Sequence, residues 1–490
     1  MSDASGRSSK WLRRVLLALC IVVAAVMGWM AYLALRPSPV TAVEAELDRV
    51  DPGWRWADMQ AELPAIPDDE NAALVILAAA SEVPRGWPGS RLNEGAMPDN
   101  EYTDVVSEVA ALPVAKLPNS EQQKELEAAM EQARAALAKA LTLGKYRRGH
   151  FPDQIDPANP LGGSRSHGSQ ARVVATVLQS ELIRRLARND ADGAGDCCRA
   201  LLGVARAFGD DGTIINQLTR LAIRGEAARG IERLLAQSQL SEPALAALQR
   251  ATEEERQGHS LVNALRWERA YQHELVLAMV ANKAPGGKPP EVLDQVRDLF
   301  SQENLRHQTS KSVLRENHAE ILAYTTALIE WLKHPSHETA ERVNRYYEKA
   351  LRTQKEEGIG SSLFLQVLTS WEKFVEAYQR NEAILVSAEV ALASERYRIK
   401  HGNWPETLAK LVPEYLTAVP PDPFLPGEQL RSKRTSNGMV IYSVGPDLQD
   451  NGGNLIRIGR ATRGTDVGVQ VFDVEHRREQ SPAKEPAGGK

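Results

Sequence analysis

Apolar residues along this chain recur mostly at helical spacing and seldom alternate. The first stretch is unbroken. Residues 15–35 (VLLALCIVVAAVMGWMAYLAL) carry no charge, and at 1.5 Å rise per residue they predict a helix of about 30 Å, a full hydrocarbon core. Arg36, Pro37, Ser38 and Pro39 break that helix, and a short helix is expected over 40–50. The run 71–80 (NAALVILAAA) reads as a buried helix, whereas 81–118, rich in Pro, Gly, Asn and Asp, reads as loop with one helical turn near 104–112. A strong helix starts at Ser120 and 149–169 should be irregular. Helices follow over 171–188, to Phe208, over 214–237 with Leu218, Leu221, Ala228, Ile231 and Leu235 inward, and from Ser241 as N-cap. Further helices are expected at 291–302, 305–333, 339–355 and 361–400, the last broken near Asn381. Only near the C-terminus does the period change. There 430–433 and 439–443 pair across an Asn437-Gly438 turn, and 467–471 supplies a third strand.

The expected class is therefore mainly α, with an N-terminal transmembrane helix, a helix-hairpin array and a small C-terminal α+β cassette. The boundaries run 1–14, 15–35 (anchor), 36–118 (stalk and irregular region), 119–380 (helical domain), 381–473 (cassette) and 474–490 (disordered tail). The array has no strict repeat pattern. A concave surface for a protein partner and a compact helical domain fit it equally.

Charge decides orientation. Arg7, Lys10, Arg13 and Arg14 precede the apolar run, which places the N-terminus in the cytoplasm and the bulk of the chain on the far side of the inner membrane. An uncleaved anchor is preferred to a cleaved leader, because Ala31-Tyr32-Leu33-Ala34 is a poor small-x-small cleavage site. A net charge of −5 across 490 residues offers no clustered basic face, which argues against nucleic acid as a partner. Of three cysteines, Cys20 lies in the span and Cys197 and Cys198 are adjacent, so no disulfide framework follows. The pair is read as small helix residues, one buried and one at an edge.

Candidate chemistry is sparse. There is no Gly-x-Ser-x-Gly elbow, phosphate-binding loop or dinucleotide fingerprint. His273-Glu274 is not followed by the second histidine of a zinc helix, and His307, His318, His334 and His337 have no ligand spacing on one face. Trp371, Phe374 and Tyr378 form a stripe at helical spacing, which predicts core packing. Trp54 and Trp56 are expected to cap a core. Oxygen donors and glycines concentrate in one stretch, 442–454 (YSVGPDLQDNGGN). Two readings fit it: an Asx/Gly turn that bonds its own backbone, or a calcium loop, since calcium takes six to eight oxygens and glycines let the backbone wrap it.

Three segments in order, Glu395-Arg396-Tyr397-Arg398-Ile399-Lys400-His401-Gly402-Asn403-Trp404-Pro405, Pro420-Pro421-Asp422-Pro423-Phe424 and Ile441-Tyr442-Ser443-Val444-Gly445-Pro446-Asp447, resemble the globular head of the type II secretion major pseudopilin. The likeness spans about 386–470. It implies a long helix leading into a small sheet and a structural calcium held by Asp447 and Asp450, with Asp466 closing the site. Asn451 and Asn454 are added as oxygen donors from spacing. The N-terminus lacks the prepilin cleavage signature and the helical region has no counterpart there, so assembly into a pseudopilus is not implied. The whole layout also resembles single-pass membrane proteins common in planctomycete-type bacteria, which implies no activity. The expected function is an interaction or structural role at the cell envelope, leaning away from an enzyme. The alternative is an envelope hydrolase whose groups, among them His150, Asp153 and His167, meet only in the fold.

Overall fold

The structure is a computed structural model that describes residues 39–88, 101–151, 165–209, 214–257, 261–281, 311–333, 362–455 and 465–480, with scattered helical positions between 342 and 352. The expected span at 15–35 lies outside the described residues, as do the helix at 291–302 and most of that at 339–355. No described helix is long and apolar enough to cross a membrane. Met1–Gly53 forms one unit, whose described part is α1 (Pro39–Val50), and Trp54–Lys490 forms the other.

The larger unit is mainly helical with a small sheet near its C-terminus, as the periodicity predicts. Its helices are α2 (Trp56–Ala61), α3 (Ala72–Ala80), α4 (Glu101–Ala111), α5 (Ser120–Gln132), α6 (Arg134–Ala140), α7 (Arg165–Ala187), α8 (Ala191–Arg206), α9 (Ile214–Gln237), α10 (Glu242–Gln257), α11 (Leu261–Ala281), α12 (Lys311–Lys333) and α13 (Ser362–His401). Several ends follow from local chemistry. The Asn119 side chain accepts from the Gln122 N–H while the Gln122 side chain accepts from the Asn119 N–H, a capping box that starts α5. Asp190 accepts from the Gly193 N–H at the start of α8. Gly402, at φ 78°, ends α13.

The strands are β1 (Lys116–Leu117), β2 (Arg431–Thr435), β3 (Gly438–Ser443), β4 (Val467–Phe472) and β5 (Glu479–Gln480). The order β2-β3-β4 is an antiparallel meander with Thr435 opposite Gly438 and Ser443 opposite Val467. The turn is thus Ser436-Asn437, one residue earlier than expected. Strands β1 and β5 pair in parallel.

One continuous hydrophobic cluster runs from Ala72 and Ile76 on α3 through α7–α10 to Val386, Val390 and Ala393 on α13 and Met439, Ile441, Val469 and Val471 on the sheet, and a separate one joins α11, α12 and α13. Helix α13 packs on α9 and α10, and β4 packs on both α13 and α9. Cassette and helical region therefore share one interior across the boundary expected at 381.

Other expectations need correction. Helix α13 is not broken at Asn381, whose amide nitrogen donates to the Leu221 carbonyl on α9 at 2.6 Å and so gives the buried side chain a partner across the interface. Leu218 is 40% exposed, while Arg220 and Arg224 on the same helix are buried. Helix α9 is covered on several sides by α7, α8, α13 and β4, and a central helix has no single apolar stripe for a periodicity argument to find. Helix α4 is three turns where one was expected, and α7 begins at Arg165, inside the stretch expected to be irregular. Both Cys197 and Cys198 are buried. Of the expected tail, 474–480 is ordered and 481–490 lies outside the described residues.

Candidate functional site

The stretch 442–454 leaves the end of β3 and folds back over it. Met439 and Ile441 point into the main core, so the alternating Val440 and Tyr442 face the other way. Both are nevertheless buried. Gly453, at φ 78°, lies over them: a Cβ there would come within 3.3 Å of the Tyr442 ring and 3.4 Å of Val440. The loop is a flap over the outer face of the sheet.

Its own hydrogen bonds hold it in place. Asp466 accepts backbone N–H bonds from Asn451 at 3.2 Å, Gly453 at 2.7 Å and Asn454 at 3.2 Å. Asp450 accepts from the Tyr442 hydroxyl at 3.0 Å and the Gly452 N–H at 2.8 Å, and lies 3.4 Å from the Arg431 guanidinium. Asp447 accepts from the Gln449 N–H and the Asn451 amide, both at 3.2 Å. Lys433 donates to the Gly452 carbonyl at 3.0 Å. Of the five residues singled out in the sequence, Asp447, Asp450, Asn451 and Asn454 lie in the flap, and Asp466, directly before β4, joins them through its bonds to the flap backbone. Asp447, Asp450 and Asp466 turn their carboxylates onto donors, and Asn454 enters the Asp466 contact through its backbone N–H. Burial raises the Asp466 carboxyl above its ordinary range, opposed by its N–H donors and assisted by the nearby Asp450 charge. Among the described residues, the group of three or more His, Cys, Asp or Glu side chains whose ligand atoms converge within 4.8 Å is Asp473, Glu475 and His476, which is half-buried to exposed. Asp473 there already accepts from the Trp404 indole at 2.6 Å and pairs with Arg434.

The residue that organises the cassette is Asp422, which the sequence presents only as part of a proline-rich turn. It is buried. One oxygen accepts from the Phe424 N–H at 2.9 Å and the Ser443 hydroxyl at 2.5 Å, the other from the Val444 N–H at 3.0 Å. Arg431 lies 3.5 Å away. Asp422 thus joins the 420–424 turn to the point where β3 becomes the flap. A lone acidic residue between prolines (Pro420-Pro421-Asp422-Pro423-Phe424) was the available signal: such a side chain survives burial only with partners already placed. Asp422→Ala leaves two N–H groups and a hydroxyl unsatisfied and should lower stability by about 3 kcal/mol. Thermal unfolding of the variant, followed by circular dichroism, checks this.

The segment around Arg477 is pinned to the same body. Arg477 donates to both oxygens of buried Glu395, at 3.0 and 2.9 Å, and to the Ser238 carbonyl at 3.1 Å, while Arg398 donates to Glu395 from the other side at 2.8 Å. Burial raises the Glu395 carboxyl, and the bonds from Arg398 and Arg477 outweigh it, so the net direction is down. Deeper in, Glu255 sits between Arg220, at 2.9 Å, and Arg224, at 3.6 Å, and Arg224 reaches Glu382 at 2.8 Å. Of these groups only Glu395 and Arg398 lay in a stretch singled out in the sequence, and there without a role.

The groups named for a hydrolase do not form a described constellation. His150 is tied through its backbone to Asn71, with its N–H donating to Asn71 Oδ1 at 3.0 Å and its carbonyl accepting at 2.9 Å. His167 is buried, stacked on the Phe151 ring at 4.7 Å. Asp153 lies outside the described residues.

No known protein family, curated protein or solved structure matches the chain.

Proposed function

We propose that this chain is a membrane-anchored extracytoplasmic protein with an interaction or structural role at the cell envelope, rather than a catalyst. The observation that carries the reading is the closure of the 442–454 flap: its acidic side chains are spent on its own backbone and on Tyr442, which makes a stiff knob from residues that a catalytic or transport site would leave to a ligand. At the tip of that knob Leu448 is 41% exposed and held at φ 60°, a left-handed conformation costly for a leucine. The apolar run at 15–35 with its preceding basic residues supports the anchor. The pseudopilin likeness is supported by α13 leading into a three-stranded meander that lies on it.

The test uses the full-length chain. It should stay with membranes through alkaline carbonate extraction and be cut by protease added outside spheroplasts, and a variant lacking residues 1–38 should leave the membrane fraction. A photo-crosslinking side chain at position 448 should then give a discrete adduct with an envelope protein. Full-length chain in the soluble fraction, or protection from external protease, overturns the anchor. Absence of any adduct from 448 overturns the knob as a contact point.

A second reading, structural calcium in the flap, draws on the three carboxylates, Asp447, Asp450 and Asp466, that all bond the short stretch 449–454. It requires Asp466 and Asp450 to exchange N–H donors for the ion, since calcium is held by oxygens. Under this reading millimolar calcium raises the melting temperature of the protein and Asp466→Asn removes the rise. An unchanged melting temperature leaves the flap as a self-bonded turn.

A further inference from the structure

Helices α11 and α12 pack on each other, and each contributes one buried histidine to the contact. His273 Nδ1 lies 3.0 Å from His318 Nε2, with the ring centroids 4.9 Å apart. Trp54, from the segment before α2, makes a T-shaped contact with the His273 ring, the centroids 4.7 Å apart. The Arg55 guanidinium lies 4.9 Å and that of Arg269 5.8 Å from the centroid of the same indole, and Arg269 is buried and donates to Thr326 at 3.3 Å.

The charged surroundings are mixed. From α11 come Arg269, the half-buried Glu274, and Glu268, which is committed to the Ile214 N–H and Gln272. From the segment before α2 comes Arg55, whose charge acts on both His273 and Glu274. From α12 comes Glu320, two residues beyond His318 and exposed.

An imidazole pair at this distance holds when one ring donates and the other accepts. A first proton can be shared along the same N–H···N line. A second leaves two donors facing each other and two positive charges in a buried contact beside two guanidiniums.

We propose that the His273–His318 pair is an acid-sensitive clasp between α11 and α12, closed at neutral pH and released when both rings take up protons. The two positions are 45 residues apart in the chain and the rings belong to separate helices, so the pair is a polar contact between α11 and α12 beside the apolar cluster of Leu261, Leu265, Ile321, Tyr324 and Leu328 that also joins them, and its opening loosens that end of the helix pair. Burial pushes both imidazoles down to about 4, with His318 and Arg55 adding to the effect at His273. In the opened state each ring returns to its ordinary value of 6.5. The clasp therefore contributes its full stability above pH 6.5 and loses it as the pH falls from 6.5 toward 4.

Hydrogen exchange on the full-length chain in detergent, corrected for the intrinsic pH dependence of exchange, tests this. Between pH 7 and 5 the opening equilibrium of α11 and α12 should rise on the order of a hundredfold relative to α7 and α8. A double variant, His273→Gln with His318→Gln, keeps a donor facing an acceptor without a titrating group, and its α11 and α12 should respond no more than α7 and α8. An equal response in wild type and variant, or no selective response in wild type, overturns the proposal. Should the double variant fail to fold, deuterium uptake at the histidine C2 positions of the wild type decides: midpoints for His273 and His318 well below 6.5 support the clasp, and midpoints at or above 6.5 overturn it.

Discussion

Replacing Glu255 by alanine should lower the free energy of unfolding by about 3–5 kcal/mol, the largest effect expected of any single substitution here. The carboxylate is wholly buried, and so are the two arginines around it. Arg220 reaches it through two nitrogens, at 3.0 and 2.9 Å, and also donates to the Gly209 carbonyl. Without Glu255, Arg220 keeps only that neutral acceptor among its bonds named here, and Arg224 falls back on Glu382. The cost comes from a stranded buried charge rather than from the net value of the ion pair, because desolvating both partners offsets most of their attraction. A double variant, Arg220→Met with Glu255→Met, should therefore be less destabilised than Glu255→Ala. Urea unfolding of the three proteins measures both effects. A Glu255→Ala loss under 1 kcal/mol would mean that water reaches the network.

Arg477→Ala comes next, at about 3 kcal/mol. Arg477 is buried against Glu395 through two parallel bonds, the fork geometry in which guanidinium and carboxylate bind most strongly. It also ties the Phe472 carbonyl at the end of β4 to the Ser238 carbonyl after α9. The loss should be local as well as global. Residues 474–480, including the β5 pairing with β1 at 116–117, should become accessible to protease while α7 and α8 stay protected. The same pair predicts an acid dependence. The Glu395 carboxyl is held below its ordinary value of 4.5, so its contribution is complete above 4.5 and is lost as pH falls below that value. The fall should be shallower in Arg477→Ala, because Arg398 alone remains to hold the charge. This window opens only at the lower end of the one in which the histidine pair releases, so losses between pH 6.5 and 4.5 belong to the pair and not to Glu395.

Much of the local structure was legible in the residues themselves. Helix α9 was bounded correctly at 214–237, β4 began where expected at Val467, and the β2–β3 hairpin followed from period and turn chemistry, with its turn one residue earlier than expected. The flap was also legible as a place: Asp447, Asp450, Asn451 and Asn454 lie in it, and Asp466 bonds to its backbone. Which groups their oxygens face was not legible. That depends on Gly453 closing over Tyr442 and Val440 and on Asp466 arriving from beyond 455, a contact set by the pairing of β4 with β3. Asp422 was hidden for the same reason, since its partners Ser443 and Val444 lie 21 and 22 residues away.

The histidines give the plainest contrast. His273 and His318 were set aside because neither belongs to a spaced motif, and spacing informs only about neighbours on one helix. Their meeting is a property of the packing of α11 on α12. Arg224 and Glu382, 158 positions apart, and Arg477 and Glu395, 82 apart, repeat the point for charge.

The sequence by itself determined where most of the helices and the C-terminal strands of the body run, because helical periodicity, caps and turns act over a few residues. Only the tertiary structure decided which polar groups go inside. A charge can be buried only where a partner is already placed, and here those partners come from distant parts of the chain.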